Sequence, residues 1–327
     1  MVPLCIEVNK KFAEHIIKAL RSRGLIDGEY LITRRDEHVV IPIKDTGVWQ
    51  LTIDGIPFSL FNCTPPPKRR VSVKLPSHDI VGDVVIIREN ALKGWDVNEL
   101  IESFRSVYPR LKAIWIKEFT VDEYRKPLLR LLWGEEKREI ITKEHGLVFK
   151  IKLGEVYYNP RLAEEHHRVA SLVRDGEVVV DLFAGVGGFS IHIASQRLAL
   201  TIANDLNPIA YELLLENIEL NRKRLKGFIT PLNMDAREVP SVLRERSADR
   251  VIADLPLRGV EFVDVYDALL RPGGVLHLYK LSRDEEALRE ELAEFFRGWE
   301  LEGIKLVIEY APRAGIYRCD LVKTHNP

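Results

Sequence analysis

A chain of 327 residues with 46% hydrophobic content has room for two or three domains around a full apolar core, which excludes a disordered polymer. A formal charge of −1 excludes a global basic field, so affinity for nucleic acid must rest on local patches. No apolar run reaches transmembrane length, the opening residues do not resemble a secretory signal, and Cys5, Cys63 and Cys319 form no CxxC pair or zinc spacing; these features predict a cytoplasmic protein with reduced thiols.

Residues 1–66 read as a small α/β unit. Phe12, Ile16, Ile17 and Leu20 have helical spacing within residues 10–23, and Gly24 is placed to end that helix. Residues 30–33, 39–43 and 48–53 read as short strands. Three successive prolines in Thr64-Pro65-Pro66-Pro67-Lys68-Arg69-Arg70 continue neither helix nor sheet, so the segment is a stiff linker and a domain boundary. Residues 67–153 form a second, α+β segment. Its strands are expected at 83–88, 113–119, 128–133, 139–142 and 147–153, and its helix at 97–107. From 154 to 327 strands and helices alternate. Strands are expected at 178–181, 198–204, 229–232, 250–253, 275–279, 305–310 and 317–322, and helices after the first glycine turn, at 209–220 and at 261–270. This alternation predicts a parallel, doubly wound α/β sheet preceded by two smaller domains.

The third segment is organised around Val178-Val179-Val180-Asp181-Leu182-Phe183-Ala184-Gly185-Val186-Gly187-Gly188-Phe189-Ser190: a buried strand ending in an acid, a glycine turn and a helix. A dinucleotide fingerprint fails, because Ser190 stands where the third glycine is required. An acid within the turn suits a ligand without phosphates, and S-adenosylmethionine, with its sulfonium and ammonium groups, fits. Asp205, 24 residues after Asp181, is placed to accept both ribose hydroxyls. Asp235 and Asp254 follow the next two strands. Any one of these acids is more simply a helix cap, but four at carboxyl strand ends face one crevice.

Together these residues resemble class I S-adenosylmethionine-dependent methyltransferases. Gly154-Glu155-Val156-Tyr157-Tyr158-Asn159-Pro160-Arg161-Leu162-Ala163-Glu164-Glu165 is similar to a signature of the archaeal-type Trm5 family, the tRNA (guanine-37, N1) methyltransferases. Glu123-Tyr124-Arg125, Leu131-Leu132-Trp133-Gly134-Glu135 and Asp79-Ile80-Val81-Gly82-Asp83 resemble upstream stretches of the same family, so the resemblance spans nearly the whole chain. It implies a Rossmann-like sheet, S-adenosylmethionine as cofactor, tRNA as partner and a monomeric enzyme in which residues 1–66 recognise the tRNA outer corner. The implied cofactor contacts are Arg161, Asp181, Phe183, Gly185, Gly187, Asp205, Leu206, Asn207, Asp235 and Ala236. The chain departs from the family in carrying Asp254 where Asn-Leu-Pro is usual.

Methylating guanine N1 requires removal of its proton and stabilisation of charge on O6. By family register Glu165 is the candidate general base, Asp254 a second carboxylate able to accept from N1–H or N2–H, and Arg125 the donor for O6. Tyr157, Asn159 and Pro160 are expected to hold the base, with Tyr157 or Tyr158 stacking. Lys68, Arg69 and Arg70 are expected to bind phosphate. His166-His167 suggests a metal, but no third ligand stands at suitable spacing, which favours a helix face. Competing readings are a wyosine-pathway enzyme acting at the same position and a non-catalytic tRNA-binding protein. A glutamine-directed protein methyltransferase would need Asn-Pro-Pro-Tyr where Asp254-Leu255-Pro256-Leu257 stands.

Overall fold

The computed structural model describes residues 3–44, 53, 55–66, 74–121, 126–311 and 314–324, and the chain divides into two compact units, Met1–Val73 and Lys74–Pro327. Among the described residues no helix is long and apolar enough to cross a membrane.

In the first unit β1 (Leu4–Asn9) runs directly into α1 (Lys10–Ser22), because the Asn9 side chain accepts the Lys11 N–H and caps the helix. Ala13, Ile16 and Leu20 form the buried stripe of α1. The sheet is antiparallel, in the order β2 (Thr33–Arg35), β3 (His38–Ile43), β1, β4 (Ser59–Asn62). Neither β1 nor β4 was expected, and the strand expected at 30–33 forms three residues later as β2. The strand expected at 48–53 lies outside the described residues except for Ile53, which is buried. The expectation of reduced thiols fails for one pair: Cys5 and Cys63 form a disulfide with Cα atoms 5.8 Å apart. The β1–β4 register sets Cys5 opposite Phe61 and so brings Cys63 near it, a proximity that a spacing of 58 residues conceals.

The second unit begins with a four-stranded sheet, β5 (His78–Val81), β6 (Val84–Arg88), β7 (Ala113–Val121) and β8 (Lys126–Gly134), in that order. Leu100 and Phe104 of α2 (Val97–Val107) pack with Val85, Ile87 and Ile114 of this sheet. A hairpin of β9 (Glu139–Glu144) and β10 (Leu147–Lys152) follows. The chain then alternates: α3 (Ala163–Leu172), β11 (Val178–Asp181), α4 (Gly188–Gln196), β12 (Leu200–Asn204), α5 (Pro208–Asn221), β13 (Phe228–Leu232), a short α6 (Val239–Val242), β14 (Ala248–Ala253), α7 (Val263–Leu269), β15 (Leu270–Ser282), α8 (Glu285–Phe295), β16 (Trp299–Ala311) and β17 (Ala314–Lys323).

The seven-stranded sheet has the order β13-β12-β11-β14-β15-β17-β16. The first five strands are parallel, and β17 pairs antiparallel with both β15 and β16. This is the expected doubly wound sheet with an antiparallel hairpin on one side. Strand order reverses between β11 and β14, and such switch points open a crevice at the carboxyl ends of strands. The helix expected at 261–270 is shorter: a 3-10 turn precedes Val263, and Leu270 already belongs to β15.

One apolar cluster joins Trp115 of the four-stranded sheet and Ile140, Phe149 and Ile151 of the hairpin to Val186, Ile191, Ala210 and Leu213 beside the larger sheet. The outer edge of β10 is closed by side chains. Asn217 accepts the Lys150 N–H (2.7 Å) and donates to its carbonyl (3.1 Å), and Asn221 does the same at Val148 (2.9 and 2.7 Å). Two buried amides on α5 thus replace a missing neighbour strand.

Candidate active site

A cavity of about 320 Å³ opens at the carboxyl ends of β11, β12 and β14, beside the switch point. Its floor is the turn after β11. Gly185 and Gly187 both have left-handed backbones, with φ of 55° and 96°, which glycine adopts without steric penalty. A Cβ on Gly188 would fall 2.4 to 2.9 Å from three ring atoms of His166, so that imidazole lies directly on the glycine backbone.

Asp205 stitches this floor to the loop after β12. One carboxylate oxygen accepts the Gly185 N–H (2.7 Å) and the other the Asn207 N–H (2.9 Å). Burial raises its pKa against the pull of these hydrogen bonds. Asn207 caps α5 by accepting the Ile209 N–H and donates to the Glu155 carbonyl. Asn204 donates to the carbonyls of Leu182 and Met234, drawing the ends of neighbouring strands together.

Of the expected cofactor contacts, Phe183, Gly185, Asp205, Leu206, Asn207, Asp235 and Ala236 line the cavity. Asp181 and Gly187 lie behind the wall. Asp181 is fully buried and accepts the Ser190 hydroxyl (2.7 Å), while its Oδ1 has no hydrogen-bond partner. Burial, with Asp254 and Asp205 as like-charged neighbours, pushes its carboxyl up to about 7 against the Ser190 bond. Arg161 turns away from the cavity, to the carboxylate of Asp79 on β5 (2.6 Å).

Of the expected substrate and catalytic residues, Tyr157, Asn159 and Asp254 are on the wall, and Tyr158 joins them. Pro160 lies outside the lining and starts the turn into α3. Glu165 also lies outside it, on the first turn of α3. Its carboxylate accepts from Arg168 (2.8 Å), Tyr279 (3.1 Å) and Arg318 (2.9 Å). Arg125 and Lys68, Arg69 and Arg70 lie outside the described residues.

Sequence reasoning missed Arg237, whose guanidinium lies 4.5 Å from the Phe262 ring centroid, and Arg258, which pairs with Glu261 (2.7 Å). Both arginines and Phe262 line the cavity. Arg237 directly follows the Asp235-Ala236 pair, a spacing that could have flagged it; Arg258 and Phe262 carry no such signal. His166 was expected on a helix face, yet it is buried on the cavity side of α3, because α3 packs on α4 at Gly188.

Residues 140–300 match the TRM5/TYW2 methyltransferase domain, and residues 5–46 match the tRNA methyltransferase 5 N-terminal domain. A solved complex of aTrm5 and tRNALeu has a similar fold, with a TM-score of 0.66 and 30% identity, over 98% of this chain and 99% of that one. Trm5 of Methanocaldococcus jannaschii in complex with adenosine gives a TM-score of 0.63 at 30% identity, over 99% of this chain and 100% of that one. The tRNA (guanine(37)-N(1))-methyltransferase Trm5b of Pyrococcus abyssi is 32% identical over 95% of this chain and 96% of its own length, and with that likeness from end to end the chain belongs to the Trm5 family.

Proposed function

We propose that the chain is a tRNA methyltransferase that moves the methyl group of S-adenosylmethionine to N1 of guanine 37. The observation that carries the reading is the switch-point cavity, with Asp205, Asp235 and Asp254 on its wall and aromatic rings beside them. The residues fit the cofactor. The cavity is of nucleoside size, and its acids match ribose hydroxyls and a cationic group. Trm5 of this fold is solved in complex with adenosine, and aTrm5 of this fold in complex with tRNALeu.

When bound, the cofactor supplies a methyl group already activated on sulfonium. Asp205 and Asp235 hold the nucleoside, and Phe183 and Ala236 enclose it. Tyr157 and Asn159, on the same wall, would hold the guanine beside the cofactor. Asp254 accepts the N1 proton and shares that task with Glu165, and Arg125 stabilises the charge on O6. Residues 1–66 serve tRNA recognition, 67–153 support the RNA and the site, and 154–327 carry the cofactor. Lys68, Arg69 and Arg70 hold phosphate.

The test is mass spectrometry of nucleosides from tRNA treated with the full chain and S-adenosylmethionine. The expected product is 1-methylguanosine, absent when guanine 37 is replaced by adenine. An aminocarboxypropyl product, a methyl group elsewhere, or unmodified tRNA would each overturn the reading.

A further inference from the structure

Behind the cavity wall, three elements direct side chains at one point. Glu144 ends β9, His166 is on α3 and His192 is on α4. Their side chains are between 1% and 7% exposed. His166 Nδ1 lies 2.7 Å and His192 Nε2 3.1 Å from the same oxygen, Glu144 Oε2. The other oxygen, Oε1, accepts the Tyr158 hydroxyl at 2.6 Å. The three ligand-type atoms lie within 4.8 Å of one another.

We propose that Glu144, His166 and His192 bind one divalent first-row transition ion of the zinc type. Two imidazoles and a carboxylate are a borderline donor set, suited to zinc and its neighbours and unlike the all-oxygen shells that calcium and magnesium prefer. Ligand bonds of about 2.1 Å in a tetrahedron set ligand atoms roughly 3.4 Å apart, so the two imidazole nitrogens would move back from Glu144 Oε2, from 2.7 and 3.1 Å, and settle at that spacing from each other from at most 4.8 Å. Each imidazole turns a lone pair to the ion and carries its proton on the other ring nitrogen. Tyr158 supplies the outer hydrogen bond that orients a ligating carboxylate. His166 is on the cavity wall, which provides a path of entry. Three protein ligands leave the fourth position to water.

The ion would tie β9, α3 and α4 together and fix the imidazole that lies on Gly188. The site is independent of the methyl-transfer reading, because none of its three ligands is assigned a part in that chemistry.

The experiment uses the untagged full chain, stripped by chelator dialysis and then supplied with zinc or cobalt(II) alone. Elemental analysis is expected to find one zinc per chain, cobalt(II) to show visible d–d absorption, and zinc to raise the melting temperature. Glu144→Gln and His192→Gln, checked for folding by circular dichroism, are expected to lose at least about 10²-fold in zinc affinity, and Tyr158→Phe about 10- to 100-fold. A folded wild-type chain that takes up neither ion overturns the proposal and leaves a cluster closed by hydrogen bonds alone. Binding that survives both Gln substitutions in folded protein places the ion elsewhere and overturns it equally. If a variant fails to fold, the wild-type stoichiometry, cobalt spectrum and melting shift decide the matter.

Discussion

Asp254 is on the cavity wall, while Glu165 is held by Arg168, Arg318 and Tyr279. The Glu165 carboxylate already accepts three hydrogen bonds off the cavity wall, so sharing with Asp254 has a geometric reason. Glu165→Gln is therefore expected to slow single-turnover methylation by less than the roughly 10²–10⁴-fold typical of a lone general base. The double variant with Asp254→Asn is expected to lose more than the product of the two single losses. Losses that simply multiply, measured across pH, would sink the shared role. Asp181 permits a second test. Burial pushes its carboxyl up to about 7 from the ordinary value of 3.8, so between those values the folded state binds more protons than the unfolded state. Stability from this group is greatest at low pH and falls as pH rises toward 7. Asp181→Asn should flatten the pH dependence of unfolding free energy over that window by up to one proton. An unchanged slope would show that Asp181 is ionised in the folded protein.

Single elements are locked by contacts at their ends and edges. Gly188 begins α4 beneath His166, and added volume there must displace a buried ring. Gly188→Ala is expected to cost about 1–3 kcal/mol in denaturant unfolding, the range for overpacking. A variant as stable as the parent would mean that α3 can lift from α4 freely. The edge of β10 depends on the amide of Asn217, which serves both groups of Lys150 and the Val186 carbonyl (3.0 Å). In the first unit, the Cys5–Cys63 disulfide closes a separation of 58 residues. On chain entropy Cys63→Ser should destabilise that unit by about 4 kcal/mol, measured by denaturant unfolding under non-reducing conditions. An unchanged midpoint would show that the bond does not constrain the unfolded chain.

At the scale of the molecule, every residue lining the cavity lies between Tyr157 and Phe262. The apolar cluster beneath it nevertheless takes in Trp115, Ile140 and Phe149. A 154–327 fragment would expose that face, whereas 74–327 keeps it covered. Calorimetry on the 74–327 fragment is expected to find S-adenosylmethionine binding close to that of the full chain, with tRNA affinity reduced. A folded fragment that does not bind the cofactor would place part of its site in residues 1–73.

By itself the sequence determined the parallel sheet, the glycine turn and the acids Asp205, Asp235 and Asp254 at its rim, because strand–turn–helix periodicity and carboxyl-end loops are properties of short stretches. It also carried the family signature around Asn159-Pro160-Arg161. Tertiary structure alone decided which polar groups meet. Arg161 turns to Asp79, 82 positions away, and Glu165 to Arg318, 153 positions away. Cys5 finds Cys63 through strand register, and Glu144 meets both His166, 22 positions away, and His192, 48 positions away. Such pairings follow from how sheets and helices pack, over separations at which sequence spacing has no period to read.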